Sequence, residues 1–351
     1  MTDVDTPAPH RRPWLLAGAI LLLVLVVLLG ILALRGQGGA DRHAAPASSA
    51  AATTTAPPYP SAPYSRVDDT TLTVPEETRF APGTFWATAG TEYLVTMDLE
   101  SMKPEGSGGR SMYLGVTLSC SPQNGGPGIS VGGTQNMLTG ENTTYSNQGL
   151  ISVPEDGAID CSIKASAPYD QVASNGTTFD IDATWRAAPV GGEAESSDEE
   201  ELPRTVEDGA EETVMSADLP LEREGAEELK VLTSLHLTTC TGVNGSREDG
   251  RAWCSTAELD ERGSTVTAAL KAELVDESGA VCQNLATLTR PPDHIDLYRH
   301  HRLLSLELEA VVPEEPCGRT VRLSTVVHNE GPAPVVVHRS NSTLLGASDA
   351  R

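Results

Sequence analysis

SMYLGVTLSC, residues 111–120, decides the fold. Met112, Leu114, Val116, Leu118 and Cys120 take alternate positions, separated by Tyr113, Gly115, Thr117 and Ser119. A repeat of two is the period of a β-strand, whose successive side chains point to opposite faces. AIDCSIKAS, residues 158–166, has the same pattern in Ile159, Cys161, Ile163 and Ala165. Both sulfurs therefore point with the apolar rows, into a shared core. A Cys120–Cys161 bridge between two strands is expected; it closes a loop of about 40 residues and contributes about 3–4 kcal/mol. The alternative is a pair of buried free thiols, which pack as small hydrophobes.

Further alternating runs flank this pair. Tyr93, Val95, Met97 and Leu99 share one face, as do Phe179, Ile181, Ala183 and Trp185. Turn-forming clusters such as PQNGGPG and SNGTT separate the runs. Residues 68–188 thus read as a β-sandwich domain without helices. Beyond them, GGEAESSDEEELPRTVEDGAEE (191–212) carries ten acidic residues and one Arg. Like charges repel, so residues 189–213 read as a solvated linker. Calcium binding there lacks the ligand spacing and glycine turn that it needs.

Alternation resumes in residues 214–345. Leu229, Val231, Leu235 and Leu237 form one row, and Val266, Ala268, Leu270, Ala272 and Leu274 another. Leu304, Leu306, Leu308, Ala310 and Val312 follow, then Val321, Leu323 and Val327, and GPAPVVVHRS closes the set. A second β-sandwich is expected, a duplicate of the first in plan. Of its four cysteines, Cys240 with Cys254 would clip a local excursion, and Cys282 with Cys317 would repeat the long-range bridge of the first half. Residues 346–351 are a loose end.

The fold class expected is mostly β: tandem sandwiches that resemble the immunoglobulin-like architecture. The resemblance stops at architecture. An immunoglobulin domain packs a Trp on its bridge, and none lies between Cys120 and Cys161 or between Cys282 and Cys317.

Residues 14–34, WLLAGAILLLVLVVLLGILAL, are 21 residues without a charge. At 1.5 Å per residue they span the hydrocarbon layer of a bilayer. They read as a retained transmembrane helix. A cleaved signal is the rival, but its apolar region is shorter and ends at a small-x-small site. Residues 1–13 are then a cytoplasmic tail. Residues 35–67, rich in Ala, Thr and Pro, are a stalk too poor in apolar side chains to fold. Arg11 and Arg12 against Arg35 and Arg42 barely decide orientation. Six cysteines, all beyond the helix and none in a CxxC pair, place the larger part in an oxidising exterior.

The formal net charge of −25 excludes nucleic acid as a partner. Four lysines against many arginines, with abundant Ala, fit a chain of bacterial type. No GxSxG, HExxH, Walker or dinucleotide motif occurs. The best catalytic candidate is PPDHIDLYRHHRLL, with Asp293, His294, Asp296, His300 and His301, where His and carboxylate could share a metal. It follows two prolines and reads instead as a loop of exposed histidines. His236 and His328 lie on strands with no carboxylate placed beside them. Trp86, Trp185 and Trp253 are the candidates for a sugar-stacking platform; Trp185 is in phase with the core, and Phe85 and Trp86 cannot both face inward.

The expected function is therefore a non-catalytic binding or scaffolding role at the cell envelope, without cofactor. The protein would be anchored in the bilayer by its N-terminal helix, and its partner would be an envelope protein or glycan. The alternatives are a wall-associated metal-dependent hydrolase using residues 293–301, and a secreted protein released by signal cleavage.

Overall fold

The computed structural model describes residues 64–73, 78–105, 111–166, 178–190, 195–196, 202–221, 227–239, 247–248, 251–252, 263–296 and 298–348. The expected cytoplasmic tail, transmembrane helix and most of the stalk lie outside the described residues, as do Cys240, Cys254 and Trp253. Among the described residues no helix is long and apolar enough to cross a membrane.

Eight strands fill residues 64–189. They are β1 (Tyr64–Thr73), β2 (Thr78–Ala87), β3 (Glu92–Glu105), β4 (Ser111–Pro122), β5 (Ile129–Leu138), β6 (Thr143–Ser152), β7 (Gly157–Ser166) and β8 (Thr178–Pro189). They form two antiparallel sheets, ordered β1-β8-β3-β6 and β2-β7-β4-β5. Between them pack the alternate residues of each strand. Val95, Met97, Leu99, Leu114, Val116, Leu118, Ile159, Ile163, Ile181, Ala183 and Trp185 all lie in one core. Cys120 sits directly opposite Cys161 on the neighbouring strand, Cα atoms 4.1 Å apart, and the two are joined by a disulfide. Phe85 is the inward partner of the Phe85–Trp86 pair.

The remaining strands are β9 (Glu195–Ser196), β10 (Arg204–Val206), β11 (Glu211–Pro220), β12 (Glu227–Thr239), β13 (Arg247–Glu248), β14 (Arg251–Ala252), β15 (Ser264–Val275), β16 (Val281–Thr289), β17 (Asp293–Ile295), β18 (His301–Val312), β19 (Thr320–Asn329), β20 (Val335–Val337) and β21 (Thr343–Ser348). β13 and β14 pair only with each other. The others repeat the first plan. β9 and β10 flank β21 and β20, which flank β12, which pairs with β18. Facing them, β11-β19-β15-β16 is the second sheet, with β17 extending β16 along β15. Pro291 and Pro292, which have no N–H to give a ladder, separate β16 from β17.

Counting interrupted strands as one, both halves have the order 1-8-3-6 over 2-7-4-5. That is the eight-stranded jelly roll built of two Greek keys. It corrects the immunoglobulin-like expectation, in which strands ABED face CFG. Alternation counts strands and aims their faces, but carries no information about neighbour order. The second bridge also differs from the first. Cys282 on β16 is joined to Cys317 in the loop before β19, and both are exposed.

Of the stretch read as linker, 189–213, the described residues 202–213 take part in the fold. Leu202 and Val206 are buried in the second core, and β10 lies within the acidic segment.

Candidate functional site

The two jelly rolls are docked, and the site lies at their junction. Edge strands β5 and β6 of the first meet the outer face of the β12–β18 sheet of the second. An edge strand exposes unpaired backbone groups and needs covering; here side chains do it. Ser146 N–H donates to Ser305 Oγ at 2.8 Å. Ser234 Oγ donates to the Ser146 carbonyl at 3.3 Å and to Gln148 Oε1 at 3.2 Å. In return Asn136 Oδ1 accepts the His301 N–H at 2.7 Å, and Gln135 Oε1 accepts that of Leu303 at 3.2 Å. Leu303 is buried in the first jelly roll's core. Leu232 and Leu345 meet Leu94 in a small apolar cluster of their own. Arg186 lies 3.7 Å from Asp98 and 3.8 Å from Glu307 of the second jelly roll.

Register explains the site. On β12, Ser234 pairs with Thr343 and Leu237 with Val337. Two residues of β12, Leu235 and His236, thus face five of the last strand, His338–Ser342. The surplus of three residues bulges out of the ladder, a device that re-aims side chains locally. Asn341 adopts φ 64° in this bulge, a left-handed conformation that Asn tolerates better than most residues. Arg339–Thr343 then form one wall of a cleft of about 370 Å³. Ser130, Val131 and Gly132 of β5 and Asn147 and Gln148 of β6 form the other. Arg339 is the single charged residue of the lining.

Beneath the cleft the bulge places His338 against His236, with ring centroids 4.7 Å apart. His301 lies 5.3 Å from His236 on the other side, Tyr113 of the first jelly roll 4.8 Å from His301, and His300 4.6 Å from His301. His236 Nδ1 meets the Ser340 carbonyl at 3.1 Å, so that nitrogen carries the proton. Its Nε2 therefore accepts from His301 Nδ1 at 3.0 Å. The His236 backbone N–H donates to Ser342 Oγ at 2.9 Å, and the His338 N–H to the His236 carbonyl at 2.8 Å. Burial keeps all four imidazoles neutral. It pushes His236 and His300 down to about 4, and His301 and His338 down to about 3, with mutual repulsion adding to the effect on His236, His301 and His338. Nδ1 of His300 is buried and has no hydrogen-bond partner among the described residues.

The residues singled out in 293–301 do not converge. Asp293 Oδ2 accepts from Arg302 Nε at 2.9 Å. His294 Nε2 is 3.9 Å from Asp296 Oδ2. Asp296 Oδ1 accepts the backbone N–H of Tyr298 and Arg299, as a turn-capping residue does. His300 is buried and His301 half-buried against Tyr113 of the first jelly roll, which corrects the reading of exposed loop histidines at these two positions; His294 is exposed, as that reading has it. Among the described residues no group of three His, Cys, Asp or Glu is arranged to hold a metal ion. His328 Nδ1 lies 3.4 Å from Glu330 Oε1. Trp185 is buried and donates from Nε1 to the Ala81 carbonyl at 2.8 Å; Trp86 is half-buried. Sequence reading passed over His338 and the cleft residues. The available signal was HRSNST, a polar run interrupting VVV and LLG inside an otherwise apolar strand.

No protein-family model matches the chain, and no curated protein sequence does. Among solved structures, the N-terminal CBM22-1-CBM22-2 tandem domain from Paenibacillus barcinonensis Xyn10C aligns over 76% of this chain and 83% of its own. Identity is 12% and the TM-score 0.23. Infectious bursal virus derived T=1 particles align over 82% of this chain and 73% of theirs, at 11% identity and a TM-score of 0.26. The jelly-roll fold is defined by the strand order of the two halves.

Proposed function

We propose that the protein is a non-catalytic binding protein of the cell envelope, held to the membrane by residues 14–34, with its ligand in the cleft between the jelly rolls. The carrying observation is the cleft itself. Both jelly rolls supply its walls, and hydrogen-bonding side chains line it. Its size is that of small-molecule sites. Its lining holds no carboxylate or imidazole that could serve as an acid–base pair. Two disulfides, Cys120–Cys161 and Cys282–Cys317, support an oxidising, extracytoplasmic setting. The uncharged run 14–34 supports the anchor.

The test uses the full-length chain in detergent, mixed with isolated cell envelopes. Ser130 is exposed on the cleft wall, so Ser130→Trp plugs the cleft without entering the core. The wild type is expected to sediment with the envelopes and Ser130→Trp to stay in solution with an unchanged melting temperature. Sedimentation of both would overturn the assignment of the cleft. Protease added to whole cells is expected to digest the chain beyond residue 35; protection until lysis would overturn the external placement.

A further inference from the structure

We infer that the imidazole cluster beneath the cleft is an acid-operated catch: in acid it lets go of the bulge that walls the cleft, and the ligand is released. The inference rests on the binding role proposed above and concerns the regulation of that same site. The catch is His236. Its backbone N–H donates to Ser342 Oγ at 2.9 Å, its Nδ1 to the Ser340 carbonyl at 3.1 Å, and its carbonyl accepts the His338 N–H at 2.8 Å. Ser340 and Ser342 belong to the cleft wall. One lone pair of the ring remains, on Nε2, and it accepts from His301 Nδ1 at 3.0 Å. A proton added to Nε2 would set two N–H groups against each other.

The surrounding groups offer a proton no better place. β18 and the residue before it bring His301 and His300, the bulge brings His338 and Arg339, β4 brings Tyr113, and β5 brings the neutral Asn136. Arg299, next to His300, is paired with Glu141. The His301 ring lies 4.6 Å from that of His300 and 6.5 Å from that of His338, so a charge on it sits among other imidazoles. His338 Nε2 is 2.7 Å from Thr238 Oγ1. Among the described residues, the charges felt by His236, His301 and His338 are one another's and that of His300, with no carboxylate to offset them. Acid thus charges the closed cluster only at a penalty, and the open one freely. An imidazole in water titrates near about 6.5. Each imidazole freed by opening favours the open form by about tenfold per pH unit below that value.

Hydrogen exchange of the full-length chain in detergent, followed from about pH 7 to about pH 4.5 and corrected for the intrinsic rate, reads the catch directly. The amides of His236 and His338 are expected to lose at least about tenfold in protection per pH unit below about 6.5 and to regain it on neutralisation, while those of β15 in the second core stay protected. His236→Asn keeps a donor for the Ser340 carbonyl but takes no proton, and should lower that slope at His338 by about tenfold per unit. His301→Asn, which keeps the donor to His236, is the second variant if the first does not fold. Wild type bound to isolated envelopes at pH 7 is expected to come off as the bulge opens, and His236→Asn to come off only at lower pH. A bulge indifferent to pH, loss of protection in β15 together with the bulge, or an unaltered slope in the folded variant would overturn the catch. A bulge that opens while the wild type stays on the envelopes would overturn its link to release. Failure to sediment at any pH would overturn the binding role, and the exchange data would still decide whether the bulge answers to acid.

Discussion

Leu303 donates its backbone N–H to Gln135 Oε1, and its side chain completes the core of the jelly roll to which Gln135 belongs rather than its own. The two jelly rolls thus share a core residue. Their separation would leave a hole in one and an exposed leucine on the other.

Leu303→Ala is expected to cost about 2–5 kcal/mol, the usual range for emptying a buried leucine site. The loss falls on the first jelly roll and on the docking together. Calorimetry of the wild type should show one cooperative transition, and that of Leu303→Ala two. A single unshifted transition in the variant would contradict the shared core.

Acid should loosen the junction. The four imidazoles sit well below the ordinary histidine value because burial disfavours their charged form. Below pH of about 6.5 the unfolded chain binds protons that the folded stack refuses, so stability falls with pH until the folded groups titrate near 3–4. The slope is on the order of 1 kcal/mol per pH unit for each imidazole kept neutral. Urea midpoints between pH 7 and 4 measure it. His236→Gln should flatten the profile, and an unaltered slope would assign the acid sensitivity elsewhere.

Reduction should distinguish the bridges. Cys120 and Cys161 are buried in the core, whereas Cys282 and Cys317 are exposed. Dithiothreitol under native conditions, followed by alkylation and mass spectrometry, should label Cys282 and Cys317 first. Replacing Cys120 and Cys161 by Ala should cost about 3–4 kcal/mol. Early labelling of Cys120 would contradict its burial.

Gly83 leaves room for Trp185. A Cβ at this position would stand 2.6 Å from Cζ2 of the indole. Gly83→Ala must displace the ring and its bond to Ala81, at a cost of about 1–3 kcal/mol. Tryptophan emission should shift to the red. An unchanged spectrum and melting temperature would show that β2 yields there at no cost.

Period two in the sequence found the strands and their inward rows, from Leu114–Cys120 to Val321–Val327. It could not show that β12 is buried on both faces. Ser234, His236 and Thr238 are polar, as a solvent face should be, yet all three are buried: Ser234 bonds Ser146 and Gln148 of the first jelly roll, and His338 of the bulge packs on His236 and bonds Thr238. Leu232 and Leu303 were the visible exceptions, large apolar residues out of phase with their rows. The cleft was less legible still. A bulge is a count of residues on one strand against its neighbour, and a single chain read alone does not say which strands are neighbours.

The surplus at His338–Ser342 has no counterpart in the other half, where β8 runs unbroken from Thr178 to Pro189. If the halves share an ancestor, three residues were gained or lost here at a single ladder position, and the inherited architecture stayed intact around the change.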